Sequence, residues 1–140
     1  MPALSITIIE DEEDISQLLR YNLEKAGYGV SACESGEEGL AAVRACPPDL
    51  MLPGMGGMDV CRMMKQGAAT QDVPVIIISV RGEENDIVAG LEQGADDYLP
   101  KPFSPKVLLV RIRTVLRRVN QALVGIVNNR NTVIPPMAWK

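Results

Sequence analysis

The stretch that decides the fold is Val73 to Lys106, VPVIIISVRGEENDIVAGLEQGADDYLPKPFSPK. Val75-Ile76-Ile77-Ile78 is an unbroken β-branched run that stops at Ser79, so Val73 to Ser79 reads as a strand buried on both faces. Glu83 to Gln93 reads as a helix closed by Gly94. Asp97 to Leu99 is a second short strand, followed by Lys101-Pro102-Phe103. Ser104-Pro105 then supplies an N-cap and a proline at the first helical position, opening a helix that runs to about Arg118.

The same alternation extends back to the N-terminus. Ser5 to Ile9 is a β-branched run that ends at an acidic cluster, after which Ile15, Leu18, Leu19, Tyr21, Leu23 and Ala26 fall at roughly helical spacing until Gly27. Tyr28 to Cys33 is another short strand, and Gly36 to Cys46 a helix that Pro47-Pro48 must terminate. A third helix fits Met58 to Gln66. Strands alternating with helices imply right-handed crossovers and a parallel sheet covered on both faces, so the fold class is α/β, doubly wound. In such sheets ligands gather outside the carboxyl ends of the strands.

Composition narrows the chemistry. The chain has 140 residues, enough for one domain with a sizeable core, and a net charge of −4, which argues against a surface that clings to nucleic acid. It has no histidine, which excludes Ser-His-Asp and Cys-His relays, imidazole metal ligands and a phosphohistidine of its own. Its apolar runs are too short to span a bilayer, and Met1 to Ser5 opens no secretory signal. Cys33, Cys46 and Cys61 lack metal-ligand spacing and read as reduced thiols of a cytoplasmic protein.

Three strand ends carry candidate chemistry. Glu10-Asp11-Glu12-Glu13-Asp14 follows the first strand, and these carboxylates either favour the positive end of the first helix or hold Mg²⁺, which takes oxygen ligands. Ser79 and Lys101 follow two later strands; singly they read as a turn residue and a solvated charge. Together with the acids, at one sheet edge, they describe a site for a metal-bound phosphoryl group.

The segments IIEDEED, LMLPGMGGMDVCR, the stretch from Val73 to Lys106 and the closing helix resemble the receiver domain of bacterial two-component response regulators, in particular the OmpR/PhoB branch. The resemblance covers residues 4 to 118. It implies a five-stranded parallel sheet flanked by five helices and an aspartate that takes a phosphoryl group from a sensor histidine kinase with Mg²⁺ bound. Carried onto this chain, it makes Glu10 and Asp11 metal ligands, Ser79 the hydroxyl on the phosphoryl group and Lys101 its cationic partner. Tyr98 matches the aromatic switch residue, and Lys101-Pro102 a peptide bond that is usually cis.

The third strand departs from the family. Receivers of this branch read Pro-Asp-Leu, three or four apolar residues, then Asp-Leu-Met-Leu-Pro-Gly; this chain reads Pro48-Asp49-Leu50-Met51-Leu52-Pro53-Gly54, five residues short. Asp49 therefore matches two positions. Its step to Ser79 (79−49 = 30) and the step from Ser79 to Lys101 (101−79 = 22) are those of the phosphoacceptor, whereas its step from Asp11 (49−11 = 38) is that of the aspartate that starts the strand. In the first register, which is the one expected here, Asp49 is the phosphoacceptor and a metal ligand, and the backbone carbonyl of Met51 is a further ligand. That register also puts Arg44 and two prolines where a central strand should be. In the second, Asp49 lies a strand's length from the metal pocket.

The resemblance also implies a homodimer through the fourth helix, fifth strand and fifth helix. Asp97 with Arg111 and Glu92 with Arg113 match ion pairs between protomers, around an apolar patch matched by Val88, Leu91 and Val110. Ile87 and Val107 stand where a basic and an acidic residue usually meet. Against this, the arginines of the last helix also read as a solvated face. The expected organisation is a receiver domain over residues 1–118 and a linker-like tail over 119–140, too short for the winged-helix DNA reader that usually follows, so no direct nucleic-acid binding is expected.

The leading function is thus a phosphoacceptor domain of a two-component response regulator, switching a dimerisation face to control transcription. The alternative is a pseudo-receiver, an interaction module whose damaged third strand prevents phosphorylation. An enzyme on a flavodoxin-like sheet is disfavoured, since no Gly-x-Gly-x-x-Gly loop follows a strand.

Overall fold

The computed structural model describes residues 3–54 and 56–128. Ten elements alternate along the chain: β1 (Ser5–Ile9), α1 (Glu13–Lys25), β2 (Gly29–Cys33), α2 (Gly36–Ala45), β3 (Leu50–Pro53), α3 (Gly57–Gln66), β4 (Ile76–Ser79), α4 (Glu84–Glu92), β5 (Asp97–Pro100) and α5 (Pro105–Asn128). All strand pairs are parallel. The order is β2-β1-β3 followed by β4-β5, the two parts joined through one bridge between Met51 and Val75. This is the doubly wound α/β fold expected from the alternation of strands and helices, with the five strands and five helices that the resemblance implies.

The weak seam between β3 and β4 has a local cause. The Met51 N–H donates toward β4, to the Pro74 carbonyl at 3.0 Å. Along a strand the next donor on that side lies two residues on, and that residue is Pro53, which has no N–H. The ladder therefore stops after one bridge.

Side chains alternate across the sheet and build two cores. Ile6, Ile8, Leu50, Leu52, Ile76, Ile78 and Leu99 pack with Leu108, Ile112 and Val115 of α5 and with Leu19 and Leu23 of α1. On the other face Ile9, Met51, Val75, Ile77 and Tyr98 pack with α2 and α3 through Leu40, Val43, Val60, Cys61 and Met64. Every residue of β3 is buried, as a central strand requires. Burial pushes the Cys33 and Cys61 thiols up, with nearby Glu38 adding to the effect at Cys33.

Two boundaries differ from the sequence reading by more than one residue. β4 begins at Ile76 rather than Val73, because Val73 to Val75 form a turn and the bridge to β3. α5 continues past Arg118 to Asn128, so helix crosses the expected boundary between domain and tail; Ala122 to Val127 offer no proline or glycine pair that would stop it. Pro135-Pro136 and Trp139 lie outside the described residues.

Candidate functional site

The carboxyl edge of the sheet gathers four of the expected groups. Glu10 leaves the end of β1 fully buried, with Oε1 2.9 Å from the Lys101 ammonium and Oε2 accepting the Glu12 N–H at 3.2 Å. Asp11 and Glu12 are exposed beside it, and one carboxylate oxygen from each of Glu10, Asp11 and Glu12 lies within 4.8 Å of the others. Lys101 follows β5; its N–H donates to the Ser79 carbonyl at 2.7 Å, and its ammonium also donates to the Gly54 carbonyl at 3.3 Å. Ser79 ends β4, and its Oγ accepts the Arg81 N–H at 3.1 Å. The Lys101–Pro102 peptide is cis.

Asp49 is not at this edge, and the phosphoacceptor register expected for it is corrected. The pairing runs Ile6 with Leu50 through Ile9 with Pro53, which puts Asp49 level with Ser5. There the Asp49 N–H donates to the Ser5 carbonyl at 2.9 Å, while the Ser5 N–H and hydroxyl donate to Asp49 Oδ2 at 2.7 and 3.2 Å. Five residues of extended chain separate Ser5 from Glu10, about 17 Å at roughly 3.3 Å per residue. This register wins physically because it keeps α2 whole to Ala45, leaves Arg44 exposed, places Pro47-Pro48 in a loop where no N–H is missed, and seats four apolar residues in the sheet.

The Met51 carbonyl is likewise not a ligand. Met51 is buried in mid-strand opposite Thr7, three positions below Gly54, or about 10 Å along the strand. Gly54 holds the level of Glu10 instead, its N–H donating to the Ile9 carbonyl at 2.8 Å. No carboxylate of β3 reaches the pocket, and a side chain at residue 54 would collide: a Cβ there would stand 2.7 Å from Glu10 Oε1 and 2.8 Å from the Ile9 carbonyl oxygen. Gly54 and Ser5 are the residues that sequence reasoning missed. The signal for Ser5 and Gly54 was the upstream spacing of Asp49, which matches a strand start.

Tyr98 of β5 is buried, and its hydroxyl donates to the Arg81 carbonyl at 2.6 Å. Gly90 of α4 makes this packing possible, since a Cβ there would fall 2.6 Å from the Tyr98 ring. On the outer face of α4 and α5, Val88, Leu91 and Val110 are each nearly half exposed, joined by Val107. Glu92 and Arg113 are exposed, and no ion pair links them among the described residues. Arg111 and Asp97 meet at 2.9 Å within one chain, where the resemblance implied a pair between protomers.

A parallel sheet that collects acids, a hydroxyl and a lysine at its carboxyl edge is the arrangement of a receiver-type signalling domain. Residues 6–113 match the response regulator receiver domain family, and the chain belongs to that family. It is 44% identical over 118 residues to the phosphate regulon transcriptional regulatory protein PhoB of Rhizobium meliloti (strain 1021), covering 81% of this chain and 52% of that protein. It is 42% identical to the alkaline phosphatase synthesis transcriptional regulatory protein PhoP of Bacillus subtilis (strain 168), covering 81% and 48%. A solved two-component response regulator from Clostridium difficile superposes with a TM-score of 0.76 at 26% identity, covering 84% of this chain and 98% of that one. The chain spans about half the length of the curated relatives it matches. No helix among the described residues is long and apolar enough to cross a membrane.

Proposed function

We propose that this receiver works as a signalling module with its cation pocket in place and no phosphoacceptor carboxylate from β3 beside it. Its output on this reading is protein contact through the α4–β5–α5 face, with a second copy of the chain and a sensor histidine kinase as partners. The observation that carries the reading is the hydrogen-bonded pairing of Asp49 with Ser5 at the foot of the sheet. Glu10 and Asp11 are the proposed ligands of a divalent cation, and a carboxylate donor set is the hard-oxygen chemistry that Mg²⁺ takes. When bound, the cation supplies positive charge that offsets an incoming phosphate. Ser79 and Lys101 supply a hydroxyl and an ammonium beside it.

A second reading is favoured by the downstream spacing of Asp49, 30 residues before Ser79 (79−49). On it, an Asp49 oxygen attacks phosphorus in line while the P–N bond of the kinase's phosphohistidine breaks, with Ser79 and Lys101 holding the equatorial oxygens. This needs Leu50 to Pro53 to leave the register described above.

Incubation with acetyl phosphate and Mg²⁺, followed by intact mass, decides between the two. The first reading predicts no added phosphoryl mass under conditions that label an intact receiver. A labelled wild type and an unlabelled Asp49→Asn variant would overturn it in favour of the second. For the face, Arg111→Glu is expected to weaken self-association in sedimentation, and an unchanged profile counts against a dimer there.

A further inference from the structure

We propose that the cleft between α3 and α4 is a binding site for a small zwitterion of the amino-acid class, its ammonium taken by Asp86 and its carboxylate by Arg81.

The cleft is a cavity of about 240 Å³. Its inner wall is Ile77 of β4 and Tyr98 of β5, both buried, with Gly57 at the start of α3. Gly57 lies so close to β4 that a Cβ there would fall 2.7 Å from the Ile77 side chain, which closes the cleft on that side. The volume falls below the roughly 300–1,000 Å³ of sites that bury drug-sized ligands, so the occupant is small. Of the groups around the cation pocket, Ser79 also lines this cleft, whereas Glu10, Asp11 and Lys101 do not. The proposal therefore does not depend on a bound metal.

The lining carries both signs of charge. Asp59 and Asp86 come from the first turns of α3 and α4, and Arg81 from the turn after β4. Asp59 already meets Arg62 at 3.2 Å. Asp86, half-buried, and Arg81, exposed, enter no ion pair among the described residues, either with one another or with a third group. Opposite charges that line one cavity without neutralising each other are matched by a ligand that carries the opposite pair, because each end then gains a charge-assisted hydrogen bond. An amine or a carboxylate alone satisfies one end and leaves the other to water. A short apolar segment between the ligand's charges would cover Ile77 and Tyr98.

Occupancy has a structural consequence. The Arg81 N–H donates to Ser79 Oγ at 3.1 Å, and the Arg81 carbonyl accepts the Tyr98 hydroxyl at 2.6 Å. A zwitterion that bridges Arg81 and Asp86 ties this turn to α4 and keeps Tyr98 where it is.

The experiment titrates glycine, β-alanine, γ-aminobutyrate and ε-aminocaproate into the isotopically labelled full chain at constant pH and ionic strength, with butylamine and butyrate as single-charge controls. The expected result is saturable movement of the Gly57, Ser79 and Tyr98 amide signals with at least one zwitterion, at an affinity at least about fivefold above either control. Arg81→Gln and Asp86→Asn should each weaken that affinity about five- to tenfold, and their amide spectra report whether they fold. Glu37→Gln, exposed on α2, should bind as the wild type does. No saturable movement with any of the zwitterions overturns the site, and equal affinity for butylamine or butyrate overturns the class of ligand. Unaltered binding in Arg81→Gln and Asp86→Asn, or an equal loss in Glu37→Gln that marks a long-range charge effect, overturns the roles given to Arg81 and Asp86.

Discussion

β3 and β4 are both four residues long and sit side by side in the sheet, yet they deliver their polar residues to opposite ends. β4 begins apolar and finishes on Ser79, so its hydroxyl arrives at the carboxyl edge. β3 is entered from Asp49 and finishes on Pro53-Gly54, so its carboxylate stays at the foot, held by Ser5, and a glycine arrives beside Glu10. Hydrophobic burial chooses the register, because sliding β3 by five residues would exchange Leu50 to Pro53 for Ala45, Cys46 and two prolines, with Arg44 entering opposite Ser5. Asp49 is carried wherever that choice puts it. A receiver's chemistry thus depends on strand length as strictly as on residue type.

The largest effect expected from breaking this contrast is all or none. Inserting Ile-Leu-Leu-Asp-Leu after Leu50 restores the family's third strand, and acetyl phosphate with Mg²⁺ should then add one phosphoryl mass where the present chain adds none; an unlabelled insertion variant would mean that strand length is not what is missing. Next comes packing. Leu52→Ala on β3 and Ile78→Ala on β4 fill equivalent places in one core and should each cost about 2–5 kcal/mol in urea denaturation. A cost under about 1 kcal/mol for Leu52 alone would mean that β3 is not seated as described. A smaller loss, about 0.5–1.5 kcal/mol, is expected for Asp49→Ala, with most of it absent when Ser5 is already Ala. Additive losses would show that the two residues do not meet.

The thiols give the mildest test. Burial raises the Cys33 and Cys61 values, so both stay protonated in the folded chain at a pH where the unfolded chain has begun to ionise. Their contribution to stability is therefore full below the ordinary thiol range and is lost as pH rises through it. Alkylation followed by peptide mass should modify exposed Cys46 first and Cys61, packed under β3 and β4, last. Rapid labelling of Cys61 would indicate that the seam between the two strands opens.

Much of this was legible in the sequence. The β-branched run at Val75 to Ile78, the N-cap at Ser104-Pro105 and the helix stop at Gly94 place β4, α4 and α5 from local chemistry, and Glu10, Asp11, Ser79 and Lys101 follow as strand-end residues. The register of β3 was not fixed by spacing, because Asp49 satisfies one interval upstream and another downstream. What separates the two is the chain path through Arg44 and Pro47-Pro48, a tertiary cost that no motif records. Gly54 was hidden for the same reason: a glycine in a loop looks ordinary until the sheet brings it against Glu10. The extension of α5 to Asn128 reflects the lack of a stop signal after Arg118.

The central claim is the level at which Asp49 sits, and cross-strand nuclear Overhauser contacts in isotopically labelled protein read it directly. The account predicts contacts between the Asp49 amide and Ser5, and between Leu52 and Ile8, with none from Asp49 to Glu10 or Gly54. Contacts from Asp49 to Ile9 and Glu10, with Ser5 facing Arg44 or Ala45 instead, would contradict it.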